Sequence, residues 1–526
     1  MAVALLFLYA LLILWVGLTA ARRTPDSFYV NNRESGAWGV GFSIFVSCVG
    51  ASATIGVIGM AFAVGTPAFW WLGAGAAGLV LLSLALARKV RNSGAYTLPH
   101  MAETFLGPST RPVISVIIVT AWLAILAAQF SALSRVLGTL TGLSPLPCLL
   151  IGLALICVHT LGGQSSIMRI DRIQALIILS SLIALLAWLT QRNPEWIGAA
   201  RLEAVNTGFP PERLLYFLVI VGANYVVCPM LFGRVLSARN ARNARLGGLI
   251  GAASIAICSV LIVAVGLACK GLIPDQTPQD EVLTAALGAA VPRWMFLAVS
   301  MALVSAIVSS ADSCLVTAAS VLSFDLIGQL RRGAAAPAMA DREYRTDSAS
   351  GFGHAGGLPI ASPGKLLKAS SENPWERGRL ARIFLKNAGM MPALPAKNEV
   401  SGVCLKDGSR LTTEGTIYRD PAPLREQVCV MLLGLAGAAL SLLGKSILGF
   451  LLMAYDIFAC GVAAPVGIGL LLHGKRRINP RFAHAALAAG GILGLTAALT
   501  GNPLWSYTGI AASGILTLSG ITAVKR

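Results

Sequence analysis

The stretch Ser305-Ala306-Ile307-Val308-Ser309-Ser310-Ala311-Asp312-Ser313-Cys314-Leu315-Val316-Thr317 sits inside an apolar run over residues 294–324. A bilayer core about 30 Å thick takes about 20 apolar residues per helix, so the run is long enough to span it. A charge at mid-bilayer costs about 2.5–3.5 kcal/mol on insertion scales, and Asp312 therefore faces a partner or a pathway rather than lipid. With 3.6 residues per turn, Ser305, Ser309, Asp312, Ser313 and Thr317 share one stripe, and Ser310 neighbours Ser313. Hydroxyl and carbonyl oxygens are hard ligands suited to a hard cation such as sodium. Small polar residues also join helices by close packing and interhelical hydrogen bonds, which is the preferred reading for Ser305, Thr317 and Ser320.

The rest of the chain repeats the apolar theme. Its 526 residues are 56% hydrophobic and 12% charged, with a mean hydropathy of +0.74, whereas soluble domains are about 25% charged. The runs are too long and uniform for barrel strands. The expected fold class is all-α: a polytopic membrane helical bundle of about thirteen transmembrane helices. They fall near 3–19, 41–63, 69–88, 112–140, 146–161, 172–190, 212–233, 246–269, 294–324, 427–443, 447–472, 483–499 and 503–521. Basic residues concentrate in alternate loops: Arg22, Arg23 and Arg33; Arg88, Lys89, Arg91 and Arg111; Arg169 and Arg172; Arg234 to Arg245; Lys475 to Arg481; and Lys525 and Arg526. By the positive-inside rule this predicts a multi-pass protein of the plasma or inner membrane, with the N-terminus outside and the C-terminus cytoplasmic.

The same bias accounts for much of the net charge of +18, so nucleic acid is not an expected partner; the lipid bilayer is. Arg22 and Arg23 directly after the first run mark a retained helix rather than a cleaved leader. The ten cysteines include no C-x-x-C pair and read as small buried side chains. Of the five histidines, His159 admits a proton-relay reading. Residues 331–426 break the pattern with Gly, Pro, Ser and dense charge. They divide the transmembrane core into 1–330 and 427–526, and read as a disordered cytoplasmic insert, with 376–390 able to form an amphipathic helix.

A second polar interruption is Ser47-Cys48-Val49-Gly50-Ala51-Ser52-Ala53-Thr54-Ile55-Gly56, in the 41–63 run. Small polar residues with two glycines favour a break that frees backbone carbonyls toward a cavity. Five spans later, Gly222-Ala223-Asn224-Tyr225 and Pro229 interrupt the 212–233 run. Paired interruptions in corresponding halves are the sequence pointer to a midplane site in an inverted-repeat transporter.

These residues resemble the sodium:solute symporter family, which shares the five-plus-five inverted-repeat architecture of the sodium-coupled leucine transporter. The resemblance covers nearly all of the chain outside 331–426. It is carried by Gly162-Gly163 through Asp171 to Gln174, the serine cluster followed by Asp325-Leu326-Ile327, Gln129, Arg234, and Ala454-Tyr455 through Pro465. It implies a sodium-coupled symporter that imports a small organic solute by alternating access, with no cofactor beyond sodium. The implied sodium site comprises the hydroxyls of Ser309 and Ser310 and the carbonyls of Val46, Val49 and Ala306. A second sodium site, found in some members, would use Asp171, Ser310 and Ser313; Asp171 reads equally as a helix N-cap. The implied substrate pocket lies near Ala53, Gln129, Asn224 and Tyr225. Sugar transporters of the family carry a glutamine at the position of Ala53, so an amino acid, a carboxylate or a vitamin-like solute is favoured. Trp70 and Trp71 read as an outer lid or as part of the interfacial aromatic belt.

The rival classes are a passive channel and a transporter-derived sensor. No pore helix or charged ring is apparent for the first. An enzyme is not expected: Gly73-Ala74-Gly75-Ala76-Ala77-Gly78 matches G-x-G-x-x-G only formally, within a membrane span and without a preceding strand.

Overall fold

The computed structural model describes residues 2–20, 25–329, 403–404, 409–411, 417–419, 424–444, 446–473 and 476–523. The chain forms two units, one of residues 1–330 with 423–526 and one of residues 331–422. In the second unit the described residues are three short antiparallel strands, Val403–Cys404, Ser409–Leu411 and Ile417–Arg419, paired in that order. The remainder of the expected insert, including 376–390, lies outside the described residues. Helix Leu424–Ser441 begins within the expected insert, so the core resumes slightly before residue 427.

The first unit is a bundle of helices. Among the described residues, nine are long and apolar enough to cross a membrane, and the bent pair Ala37–Cys48 with Ser52–Val64 makes a tenth. The other three expected spans correspond to helices Ala2–Ala20, Pro145–Thr160 and Pro503–Ser519. The last two are only 16 and 17 residues long, so length alone does not make them spans. The helix that carries the serine cluster, Arg293–Ile327, is the most enclosed: 78% of its apolar window is buried, against 33% for Gly163–Arg192. Its polar stripe is thus covered by protein, as a carboxylate at that depth requires.

The first interruption is a true break. Helix Ala37–Cys48 stops at Val49 (φ −101°, ψ 66°), and the chain bends by 63° before continuing as Ser52–Val64, whose first turn is π-helical. Gly50 sits where the broken segment crosses the serine helix. A Cβ there would lie 2.5 Å from Ser310 Oγ and 2.9 Å from Gln129 Oε1, so only glycine permits the approach. Helix Ala241–Ala268 supports this segment from behind, through Gly247 and Gly251 set against Val40 and Ile44.

The second interruption falls at the proline end of its expected stretch. Gly222–Val227 remains helical, and the break falls at Cys228 (φ −55°, ψ 121°). Pro229 is the cause: it lacks an N–H and forces the preceding residue out of the helical region, after which Pro229–Leu236 starts anew. The formal glycine motif proves to be a packing surface. Added Cβ atoms at Gly75 and Gly78 would strike the Tyr225 ring at 2.7 Å and the Gly222 carbonyl at 2.3 Å, so helix Trp70–Leu81 lies directly on the second broken helix.

Gly50→Ala is expected to overpack this crossing by about 1–3 kcal/mol. It should lower the melting temperature of the purified protein and abolish sodium-induced stabilisation even where the variant still elutes as a single species.

Candidate functional site

The crossing brings hydroxyls and carbonyls of two helices together. Ser309 Oγ donates to the Ala306 carbonyl at 2.9 Å and lies 3.4 Å from the Val46 carbonyl, while Ser310 Oγ donates to the Ser47 carbonyl at 3.0 Å. Both serines and Ala306 are buried. Val49, the remaining residue of the expected set, is the non-helical residue at the break. Without an ion, each serine hydroxyl turns its proton toward a carbonyl. A cation at the same oxygens would be met by hydroxyl lone pairs instead, with no backbone movement required.

Beside this cluster lies a cavity whose lining includes Ser52, Trp122, Gln129, Asn224, Tyr225 and Tyr455, and no formally charged side chain. Ser47 and Ser310 contribute to it as well, so the ion cluster and the cavity share a wall. Gln129 Oε1 accepts the Ala51 N–H at 3.0 Å, which commits its oxygen and leaves its NH2 end as a donor. Asn224 is committed in the opposite sense: Nδ2 donates to the carbonyls of Ile220 (2.9 Å) and Tyr455 (3.2 Å), leaving Oδ1 as an acceptor. The cavity therefore offers one amide donor and one amide acceptor on an otherwise apolar, hydroxyl- and thiol-lined wall. Ala53 is fully buried but takes no part in the lining; Ser52 stands there instead, because the bend and the π-helical turn rotate the segment after Gly50. Trp71 is too deeply buried to belong to the aromatic belt. It is 2% exposed, stacks on Tyr455 with centroids 6.2 Å apart, and so backs the cavity.

Three buried polar groups surround the cluster. Asp171 lies well inside helix Gly163–Arg192, which starts eight residues earlier, so it does not cap that helix. Its Oδ2 accepts the Ser43 hydroxyl and lies 3.9 Å from Arg234 Nη2. Arg234 is fully buried, and its guanidinium also donates to Gln164, to Ser47 (3.1 Å) and to Ser313 (2.5 Å). Asp312 turns away from the cluster toward helix Pro145–Thr160, where it pairs with His159 Nδ1 and accepts the Thr160 hydroxyl at 3.1 Å. Sequence reasoning placed Arg234 at a helix end and His159 apart from Asp312. Depth within an apolar run was the available signal for both, since charge there needs a partner.

With the geometry in place, the chain can be set beside known proteins. The model of the sodium:solute symporter family matches residues 28–192. The match spans the first broken helix, Gln129 and Asp171. Among solved structures, a Na+-coupled sialic acid symporter in a substrate-bound, outward-open state with a novel Na+ site has a TM-score of 0.71 at 14% identity, covering 100% of this chain and 99% of that one. A nucleobase-cation-symport-1 family transporter, closed with bromovinylhydantoin bound, has a TM-score of 0.54 at 12% identity, covering 95% and 94%. At these identities the likenesses show the fold alone. No curated protein sequence matches the chain.

Removing one partner of a buried polar contact leaves the other group unsatisfied, at a cost of about 1–3 kcal/mol or more. His159→Ala is therefore expected to lower the unfolding temperature markedly while leaving sodium binding intact, because Asp312 faces away from the serine–carbonyl cluster. Loss of sodium binding in a still-folded His159→Ala protein would contradict this separation.

Proposed function

We propose that this protein imports a small organic solute together with sodium, binding the ion where the broken first helix crosses the serine helix. The ion is held by the hydroxyls of Ser309 and Ser310 and the carbonyls of Val46, Val49 and Ala306. The solute lies in the adjoining cavity against Gln129, Asn224 and Tyr225. The observation that carries this reading is the shared wall: Ser310 belongs to both the oxygen cluster and the cavity lining. An ion that pulls the Ser310 hydroxyl away from Ser47 reshapes the cavity and fixes the crossing angle of the two helices, which is how ion occupancy biases the conformation that accepts solute.

The wall also constrains the solute. A cavity without a charged side chain compensates no full charge, so a neutral or zwitterionic molecule fits, and a carboxylate only with sodium as its counter-ion. The exposed amide donor of Gln129 and acceptor of Asn224 favour a solute with a carbonyl-type acceptor and an N–H or O–H donor.

Alternating access needs a closure on the cytoplasmic side, which the basic loops assign to the end of the serine helix. There Arg111 Nε donates to Asp325 Oδ1 at 2.6 Å and Nη1 to Glu103 at 3.0 Å, while Tyr29 donates to Glu426 at 2.5 Å. This layer is the closed inner gate in the proposal, with the N-terminus outside and the C-terminus in the cytoplasm. The membrane potential supplies about 2.3 kcal/mol per charge per 100 mV and a tenfold sodium gradient about 1.4 kcal/mol more.

A thermal-shift screen of small metabolites in sodium against potassium tests the reading and identifies the solute. Ser309→Ala and Ser310→Ala are each expected to raise the sodium concentration needed for half-maximal stabilisation at least tenfold. Unchanged sodium dependence in both variants would rule this site out.

A further inference from the structure

We propose that the guanidinium of Arg234 occupies the place of a second coupling cation, so that the transporter binds one sodium per cycle. The inference rests on the sodium reading above and sets its stoichiometry. Sequence resemblance implies a second sodium at Asp171, Ser310 and Ser313, and in this structure Arg234 reaches two of the three. Its Nη2 donates to Ser313 Oγ at 2.5 Å and lies 3.9 Å from Asp171 Oδ2. The same carboxylate oxygen accepts the Ser43 hydroxyl. An ion within bonding distance of both Asp171 and Ser313 would meet the positively charged Nη2 at van der Waals range.

Charge balance leads to the same conclusion. Asp171 and Arg234 are both fully buried, and a carboxylate there needs one compensating positive charge. A guanidinium supplies that charge permanently, because it does not deprotonate and is tied to the chain. The other carboxylate nearby, Asp312, is bonded to His159 and Thr160 rather than to Arg234. The guanidinium also ties four elements together: Ser47 on Ala37–Cys48, Gln164 and Asp171 on Gly163–Arg192, Ser313 on the serine helix, and its own Pro229–Leu236. A sodium ion would hold such elements only while bound, whereas Arg234 holds them at every ion concentration.

Equilibrium binding of 22Na+ to the purified full-length protein tests this. The expected result is one ion per chain with a Hill coefficient of 1. Arg234→Met, which frees Asp171 and Ser313, is expected to bind two ions per chain, and Arg234→Lys, which retains the charge, to stay at one. Two ions bound to the unaltered protein would overturn the inference while leaving the sodium reading in place, and that measurement stands even if Arg234→Met does not fold. A folded Arg234→Met that still binds one ion would also overturn it. No ion bound to the unaltered protein would sink the sodium reading itself, and this inference with it.

Discussion

The structure depends on the close crossing of a broken helix over an intact one. At Val49 and Gly50 the first core helix gives up its regular hydrogen bonds, which inside a membrane is tolerable only where protein or a cavity re-satisfies the backbone. The serine helix supplies that satisfaction: Ser309 and Ser310 reach the carbonyls of Val46 and Ser47. From the other side, Gln129 accepts the Ala51 N–H. The break is thus stable when empty, yet it loses little when its hydroxyls turn to a cation, and this balance is what a coupled transporter needs.

Charge inside the bundle follows one rule, and it separates the functional groups from the structural ones. Asp171 faces Arg234, Asp312 faces His159, Asp325 faces Arg111, and Asp456 accepts from Tyr216 and Ser506 at 2.7 Å each. No carboxylate lies in the serine–carbonyl cluster or in the cavity lining. The serine–carbonyl cluster is therefore built of neutral oxygens, and the carboxylates of the bundle are taken up by partners elsewhere.

Much of this was legible in the sequence, for physical reasons that differ by residue. The helical class, the break at Gly50 and the depth of Ser309 and Ser310 follow from hydropathy, glycine placement and helical spacing, all of which are local properties. Gln129, Asn224 and Tyr225 line the cavity as expected, because polar groups in apolar spans have few other places to go. What failed was orientation. Ser52 replaces Ala53 at the wall because a π-helical turn changes the phase of side chains after the bend, and no residue type announces it. Asp171 looked like a helix cap because the start of its helix was placed too late. The His159–Asp312 and Arg234–Asp171 contacts join residues 153 and 63 positions apart in the chain, and spacing rules reach only a few turns.

Hydrogen–deuterium exchange in sodium against an equal concentration of potassium tests the central claim most directly, because the claim concerns which backbone an ion orders. The account predicts that sodium slows exchange in residues 46–54 and 306–313 together, and leaves the peripheral helix Pro480–Thr500 unchanged. Identical exchange in the two salts across both segments would contradict it.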